Sequence, residues 1–367
     1  MSSAKEYNLR QTCGSFNIAG DFVSASPYGS GHINDTFAAV FSQGWTKVRY
    51  ILQRINHNVF RNPVALMDNI DRVTSHLHTK LSSSGDASRR ALSLIKSRNG
   101  LPYHLDADGN CWRTYVFVGN AKTYDIIETP EQAFQAAKAF GEFQRLLVDL
   151  PGGRLSETIP DFHNTPKRFE AFERALSSDS LNRAKSAEAE IEFAISRKNV
   201  AAVLLNLSRE GKIPERITHN DTKLNNVLLD EETGEAACVI DLDTVMPGLA
   251  LYDFGDLVRT STSPAAEDEK DLGKVKMQMH MYRALAEGYL STAGGFLTKT
   301  EIENLAFSGK LITLEIGLRF LTDYLSGDTY FKVHRAGHNL DRCMTQFKLV
   351  SLIEEQEEEM KGIAGKF

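Results

Sequence analysis

The alternation of apolar and polar side chains divides the chain into a β-rich first part and a mostly helical remainder. Residues 33–41 and 49–55 alternate with the period of a strand and flank a glycine-containing turn, so they predict a hairpin. Residues 62–80 carry apolar side chains at helical spacing, which predicts an amphipathic helix packed on a core. A polar turn over 106–110 precedes a predicted strand over 112–118. The first part is therefore predicted to be a sheet with one long helix.

Beyond this part the apolar positions recur with the period of helices, and one short β-hairpin interrupts them. The predicted helices cover residues 130–147, 165–176, 187–210, 269–290, 299–325 and 335–361. The predicted hairpin covers 227–229 and 237–240. Because the composition shifts at Gly119, we predict two domains, residues 1–118 and 119–367, in an α+β fold.

The composition narrows the class of protein. Of the 367 residues, 42% are hydrophobic and 25% are charged, which is enough apolar material for two packed lobes. The formal net charge of −6 argues against a nucleic-acid partner, which would need a dense basic surface. No stretch approaches the roughly 18 consecutive apolar residues of a membrane span, so we expect no membrane association.

The first residues and the cysteines both indicate the cytoplasm. Residues 1–12 lack the apolar run of a signal peptide, so we expect the protein to stay where it is made. Four cysteines are far apart and fit no zinc-binding spacing, which favours reduced thiols. They are Cys13, Cys111, Cys238 and Cys343. Nothing in the sequence indicates an obligate protein partner.

Two short motifs carry the candidate chemistry. Residues 219–226 read HNDTKLNN, and residues 239–243 read VIDLD. Phosphoryl transfer needs a carboxylate that accepts the proton of the attacking hydroxyl, oxygen ligands for magnesium, and positive charge near the transferred phosphate. The predicted hairpin between the motifs would bring their metal ligands together. The candidates are Asp221 as the base, Asn226 and Asp241 as the metal ligands, and Lys223 as the cation at the γ-phosphate.

The pattern H-x-D-x-x-x-x-N followed by I-D-x-D resembles the motifs of the aminoglycoside phosphotransferase and choline kinase superfamily. The resemblance implies a bilobal protein-kinase-like fold with ATP and Mg²⁺ as cofactors. Its β-rich nucleotide-binding lobe would be residues 1–118, and its mostly helical catalytic and substrate-binding lobe residues 119–367. In the segment LYDFGD, Asp253 would brace the catalytic loop through backbone hydrogen bonds. Only six residues, 244–249, stand where protein kinases have a long peptide-holding loop, so we expect a small substrate.

The nucleotide is expected to contact the first part of the chain. Gly29 and Gly31 would let the backbone approach the phosphates, although a plain hairpin turn fits the same residues. Gln53 stands where kinases place the lysine that binds the α- and β-phosphates, and Asp71 is the candidate ion-pair partner on the following helix. Gln53 can hydrogen-bond a phosphate without neutralising it. By analogy with the kinase hinge, the adenine-contacting residues would be Phe117, Val118 and Gly119.

Six blocks spread along the chain resemble the bacterial N-acetylhexosamine 1-kinases. The blocks are PYGSGHIN (27–34), RYILQRIN (49–56), THNDTKLNNVL (218–228), IDLDTVMPG (240–248), LYDFGDLVR (251–259) and RFLTDYLSGDTYF (319–331). This resemblance implies transfer of the ATP γ-phosphate to the anomeric (C1) hydroxyl of N-acetylglucosamine or N-acetylgalactosamine. The implied sugar-binding residues are His32, Arg319, Asp323 and Tyr330. Because Arg319 and Asp323 are four residues apart on a predicted helix, an intrahelical salt bridge is the alternative.

Two other classes of function remain open at this point. One is a kinase for another small alcohol, such as an amino alcohol, an aminoglycoside or another sugar. A quaternary-amine substrate would predict a cage of aromatic and acidic side chains. The other is a non-catalytic nucleotide-binding protein, which the missing lysine suggests. The co-occurrence of Asp221, Asn226 and Asp241 favours an enzyme whose partners are a small sugar and ATP.

Overall fold

The computed structural model describes residues 7–29, 31, 33–85 and 87–366, which form two compact units. Unit 1 contains the residues up to Ala121 together with Asp149–Pro160 and Ala237–Met246. Unit 2 contains Lys122–Val148, Asp161–Ala236 and the residues from Pro247 onwards. Two later segments of the chain therefore belong to the unit that the first part builds.

Unit 1 is built on an antiparallel sheet of five strands in the order β1-β2-β3-β5-β4. The strands are β1 (Asp21–Pro27), β2 (Asp35–Gln43), β3 (Thr46–Arg54), β4 (His104–Leu105) and β5 (Cys111–Val116). The predicted hairpin corresponds to β2 and β3, and the predicted strand over 112–118 to β5. The edge strand β1 was not predicted, because its side chains are mostly exposed and give little alternation.

One long helix in unit 1 confirms the prediction over 62–80. Helix α2 (Pro63–Leu81) begins after Asn62, whose side chain accepts from the backbone NH of Ala65, with proline at the first position. Met67, Ile70, Val73 and Leu77 are buried as expected, but Val64 is 46% exposed. Val64 lies in the first turn, before the face that the core covers. The two short helices of this unit are α1 (Leu9–Cys13) and α3 (Ala87–Arg90).

Unit 2 is mostly helical. Its helices are α4 (Pro130–Leu146), α5 (Thr165–Ser178), α6 (Glu188–Ser196), α7 (Val203–Arg209), α8 (Ala250–Ser261), α9 (Met279–Ala293), α10 (Lys299–Glu303), α11 (Leu305–Leu325) and α12 (His338–Ala364). The remaining short strands of the chain are β6 (Ala121–Lys122), β7 (Arg216–Thr218), β8 (Val227–Asp230), β9 (Ala236–Val239) and β10 (Met246–Gly248). Helix α11 is buried on nearly all sides, and with residues of α5 and α12 it forms an apolar core.

Three predicted helices of unit 2 are shorter or broken. The prediction over 187–210 splits into α6 and α7 around a 3₁₀ turn, and the prediction over 299–325 breaks at Asn304. The predicted helix over 269–290 begins only at Met279, since Asp271 accepts from the backbone NH of Gly273 and closes a separate turn. Side-chain oxygens that bond locally compete with helix formation, and apolar periodicity does not report this.

The α+β fold class is confirmed, with a β-rich unit 1 and a helical unit 2. In the part of the chain that the structure describes, no helix has both the length and the apolarity that crossing a bilayer requires.

Candidate active site

The catalytic loop, residues 219–226, follows β7 and ends in a 3₁₀ turn before β8. Asn220 has a φ of 65°, in the left-handed region that asparagine tolerates better than most residues. The hydroxyl of Thr218 donates to Oδ1 of Asn220 across 3.0 Å. The residue before Asp221 is therefore held in a single unusual backbone conformation.

Asp253 on α8 holds the loop through its buried carboxylate. Its Oδ2 accepts from the backbone NH of His219 at 2.9 Å and from Nε2 of Gln144 at 2.6 Å, and its Oδ1 accepts from the NH of Asn220 at 2.7 Å. The hydroxyl of Thr222 donates to the carbonyl of Asp253 at 2.6 Å. Burial raises the pKa of Asp253, and these donors oppose the shift. The expected bracing role of Asp253 is confirmed.

One helical turn further on, Asp256 makes a second attachment that the sequence analysis missed. Its Oδ2 accepts from the backbone NH of Thr222 at 2.9 Å, and its Oδ1 accepts from Nε of Arg259 at 2.7 Å. The spacing of Asp253 and Asp256, three residues on one helix, was the available signal. The two aspartates bind the backbone on both sides of Asp221.

Asp221 is surrounded by donors. Nδ2 of Asn226 donates to the carbonyl and to Oδ2 of Asp221, at 2.8 and 3.1 Å, and Nζ of Lys223 lies 3.1 Å from Oδ2. Burial pushes the pKa of Asp221 upwards, but the electrostatic influence of Lys223 and His219 outweighs it, so the pKa is lowered. The carboxylate is therefore ionised at neutral pH, as a proton acceptor must be. Lys223, expected at the γ-phosphate, is paired here with the base.

His219 is fully buried and packs edge-on against two phenylalanines of α4. Its ring centroid lies 5.2 Å from that of Phe140 and 5.9 Å from that of Phe143. This packing makes His219 a structural support of the loop.

The candidate metal ligands offer oxygen atoms of the kind that Mg²⁺ prefers. Asn226 donates through Nδ2, which leaves its Oδ1 as the side-chain atom suited to a cation. Asp241 has a φ of 59° and precedes a 3₁₀ turn, Leu242–Thr244. Among the described residues, no group of three or more His, Cys, Asp and Glu side chains could hold a metal by itself. Mg²⁺ is commonly held by one or two carboxylates together with substrate phosphates, so this donor set fits. Asn226 belongs to unit 2 and Asp241 to unit 1, and their shared ligation stays a prediction.

In unit 1, Gln53 lies directly opposite Arg113 in the β3–β5 register. Oε1 of Gln53 accepts from Nε of Arg113 at 2.9 Å, and its Nε2 donates to the hydroxyl of Thr36 at 3.0 Å. The guanidinium of Arg113 also forms an ion pair with Asp243. Arg113 was missed by the sequence analysis, although an arginine within an apolar strand is itself a signal. Asp71 forms an ion pair with Lys96, so its partner is not Gln53.

The remaining nucleotide candidates also lie in unit 1, where the three glycines are exposed and Phe117 and Val118 are half-buried. Gly29 has a φ of 80°, and a Cβ atom added to Gly29 or Gly31 would meet no atom of the described residues within 4 Å. Strand β5 ends before the predicted hinge residues Phe117, Val118 and Gly119. The guanidinium of Arg49 lies 3.7 Å from the centroid of the Phe117 ring. His32 lies outside the described residues.

Of the sugar-binding candidates, Asp323 on α11 organises the turn that carries Tyr330. Its Oδ1 accepts from the backbone NH groups of Thr329 and Tyr330 at 2.9 and 2.8 Å, and its Oδ2 accepts from that of Phe331 at 2.9 Å. Nδ2 of Asn339 donates to the same Oδ2 at 2.8 Å. These donors leave Asp323 only 4% exposed. Its partners are therefore backbone NH groups and an amide.

Arg319, one turn earlier on α11, lies among aromatic rings and forms no ion pair with Asp323. Its guanidinium carbon lies 5.4, 5.9 and 5.6 Å from the ring centroids of Phe162, Tyr330 and Phe331. The intrahelical salt bridge is thus not formed. Arg168 donates to the carbonyl of Phe162 at 2.6 Å, and burial and then the positive charge of Arg319 lower its pKa. We refer to Phe162, Arg168, Arg319, Tyr330 and Phe331 as the acceptor face.

A buried pair links helix α11 to the catalytic loop. Nδ1 of His163 lies 2.8 Å from Oε1 of Glu315, and its Nε2 lies 3.2 Å from the carbonyl oxygen of Asn220. The hydroxyl of Thr165 donates to Oε2 of Glu315 at 2.6 Å. Burial raises the pKa of Glu315, but His163 and the hydrogen bond from Thr165 lower it by a larger amount. The pKa is therefore below its ordinary value, and the carboxylate is ionised. Glu315 is one helical turn before Arg319 and lies on the same face of α11. His163 therefore bridges this face of α11 and Asn220, the residue before Asp221.

The chain matches the phosphotransferase enzyme family APH over residues 24–290, which is well over half its length. The chain belongs to the APH family. A buried carboxylate that holds the backbone before Asp221 and an asparagine five residues after it agree with a phosphotransferase centre.

Solved structures of this family share the fold at low sequence identity. An aminoglycoside phosphotransferase from Alicyclobacillus acidocaldarius is 13% identical, with 98% of each chain covered and a TM-score of 0.60. An ethanolamine kinase from Plasmodium vivax is 14% identical, with 90% of this chain and 82% of that chain covered and a TM-score of 0.52. A spectinomycin phosphotransferase solved with ADP and spectinomycin is 15% identical, with 92% and 94% covered and a TM-score of 0.51. These similarities confirm the protein-kinase-like fold.

Proposed function

We propose that this APH-family phosphotransferase moves the γ-phosphate of ATP to the anomeric hydroxyl of free N-acetylglucosamine or N-acetylgalactosamine. The observation that carries the proposal is the acceptor face, which lies one histidine away from the catalytic loop. A fold relative solved with ADP supports the use of a nucleotide. The sugar itself comes from the resemblance of residues 319–331 to the N-acetylhexosamine 1-kinases.

In this mechanism Asp221 accepts the proton of the attacking hydroxyl. Its ionised carboxylate is oriented by Asn226 and Lys223, and the backbone around it is fixed by Asp253. Asn226 and Asp241 would hold Mg²⁺, which supplies positive charge to the phosphate oxygens when bound. Once the proton has been taken up, the negative charge of Asp221 is lost, and Lys223 is released to approach the transferred phosphate.

An anomeric hydroxyl suits a single carboxylate base. The ring oxygen stabilises its anion, so it is more acidic than the other hydroxyls of the sugar, and proton transfer to Asp221 is less unfavourable. A methyl glycoside lacks this hydroxyl and keeps all the others. It therefore separates the anomeric position from every other acceptor position on the ring.

The charge of the acceptor face favours a neutral sugar over a cationic amine. Arg168 and Arg319 are close enough to influence each other, and the carboxylates of Glu315 and Asp323 are buried and engaged by protein donors. A ligand would meet guanidinium groups and aromatic rings, with Tyr330 63% exposed. The guanidinium of Arg319 already lies over the three rings that could otherwise attract a cation. A cationic choline, ethanolamine or aminoglycoside would therefore be repelled here, whereas hydroxyl and acetamido oxygens would accept from Arg319.

The test is a panel of acceptors offered with MgATP, with the products identified by ³¹P NMR. We expect N-acetylglucosamine and N-acetylgalactosamine to give a 1-phosphate, and their methyl glycosides, choline, ethanolamine and an aminoglycoside to give no product. Arg319→Ala should raise the sugar KM with a smaller effect on kcat, because it removes binding rather than chemistry. Phosphorylation of a methyl glycoside at the rate of the free sugar would disprove the anomeric assignment. Preferential phosphorylation of an amine would disprove the sugar assignment.

A further inference from the structure

Unit 1 contains a buried arginine beside the position where kinases place a lysine. Gln53 occupies the lysine position on β3 and carries no charge. Arg113 is its direct neighbour on β5 and is only 1% exposed. A fully buried arginine is rare unless it is paired. Arg113 lies directly opposite Gln53 in the antiparallel pairing of β3 and β5.

Arg113 contacts the turn that carries the candidate metal ligand Asp241. Its Nε donates to Gln53, and its Nη1 forms the ion pair with Asp243, which is two residues after the candidate metal ligand Asp241. Nδ2 of Asn34 donates to the second oxygen of Asp243 at 2.6 Å. Both carboxylate oxygens of Asp243 are therefore engaged by protein donors.

The turn that carries both aspartates is held at two points, the side chain of Asp243 and the carbonyl of Val245. Asp241 is in the left-handed region, a conformation that an aspartate keeps only when its surroundings impose it. Asp243 is held by Arg113, and the carbonyl of Val245 accepts from Nδ2 of Asn69 on α2 at 3.2 Å. Burial opposes the charge of Arg113, but Asp243 and Asp241 both raise its pKa, so the arginine stays positive beside two carboxylates.

We propose that Arg113, the neighbour of the strand-lysine position, is a positioning residue that acts through Asp243. It holds the turn so that Asp241 meets the metal, and it offsets the negative charge of two adjacent aspartates where a polyanionic nucleotide must bind. Gln53 orients the guanidinium, which explains an uncharged residue at the lysine position. The inference rests on the proposed use of MgATP and is independent of the identity of the sugar.

The test compares two arginine-to-lysine variants in neighbouring strands. Arg113→Lys keeps the charge but loses the forked contact with Gln53 and Asp243. Arg54→Lys is the matched control, because Arg54 follows Gln53 on β3 and pairs with Asp35. ADP binding is measured by calorimetry with Mg²⁺ and with EDTA, together with the melting temperature. The decisive quantity is the ratio of the two affinities, which a purely structural role would not change.

We expect the Mg²⁺-dependent gain in ADP affinity to fall by about tenfold or more in Arg113→Lys, the scale of one well-formed hydrogen bond to a charged group, and to stay unchanged in Arg54→Lys. Asp243→Asn keeps the shape of the side chain and should lose the same gain, and it decides the matter if Arg113→Lys does not fold. An unchanged gain in the folded variant, or an equal loss in the control, would overturn the inference. Wild-type protein without any Mg²⁺-dependent ADP binding would instead overturn the proposed function.

Discussion

Asp253→Asn is the substitution that tests most directly how the catalytic loop is held. The carboxylate is fully buried and accepts three hydrogen bonds, two at Oδ2 and one at Oδ1. An asparagine of the same shape has one oxygen. Its best orientation keeps the oxygen at the Oδ2 position and turns the amide NH₂ towards the backbone NH of Asn220. One charge-assisted bond is lost, and two donors then face each other in the interior.

The magnitude follows from these contacts. Losing a hydrogen bond to a charged group costs about 1.5–3 kcal/mol, and a buried donor without an acceptor adds about 1–3 kcal/mol. Burial raises the pKa of Asp253, so a neutral side chain recovers part of this cost. We therefore expect a loss of about 2–3 kcal/mol in the free energy of unfolding. Because the backbone of Asn220 leads into Asp221, we also expect kcat to fall by about a hundredfold, as small displacements of a reacting group can cause.

The assays are urea unfolding followed by fluorescence and steady-state kinetics with saturating MgATP. Asp230→Asn is the control, because Asp230 also accepts from two backbone NH groups, in the hairpin turn after β8, but these two hydrogen bonds are exposed to solvent. The control should lose no more than about 0.5 kcal/mol and keep its kcat. If Asp253→Asn changes the free energy of unfolding as little as the control and keeps kcat within a factor of two, Asp253 does not hold the loop.

Four further outcomes are expected. Asp221→Asn should bind MgATP normally and lose on the order of a hundredfold or more in kcat, measured by product formation; activity within a few-fold of wild type would remove it as the base. Asp241→Ala should need more Mg²⁺ for half-maximal activity than Asn226→Ala, because it removes a formal charge; unchanged Mg²⁺ titrations would contradict both ligands. Glu315→Gln should lower kcat more than the sugar KM changes, since His163 then holds Asn220 less firmly. All four cysteine thiols are buried, and burial raises the pKa of the Cys238 thiol to about 12, so none should react with Ellman's reagent at pH 8 before unfolding.

The sequence by itself determined the parts of the site that depend on short separations. Asp221 and Asn226 are five residues apart, and two hydrogen bonds from Asn226 to Asp221 show that the two side chains lie together. The bracing role of Asp253 was implied by the resemblance of the LYDFGD segment, and its bonds to the backbone NH groups of His219 and Asn220 agree with it. The predicted helix that contains α11 breaks at Asn304, whereas the long periodic helices α2 and α4 could be located from the local pattern. Their apolar faces repeat over several turns, so local errors average out.

The tertiary structure alone decided which distant side chains meet. Arg113 and Asp243 are 130 residues apart, and His163 and Glu315 are 152 apart, so no local pattern joins them. The β3–β5 register places Arg113 beside Gln53, and the turn after α11 brings three backbone NH groups to Asp323. The apolar pattern of the sequence reported neither arrangement. An apolar or polar pattern specifies which face of an element is buried. Only the packing of one element against another specifies which buried charged groups form pairs. The proposed phosphoryl transfer depends on those pairs.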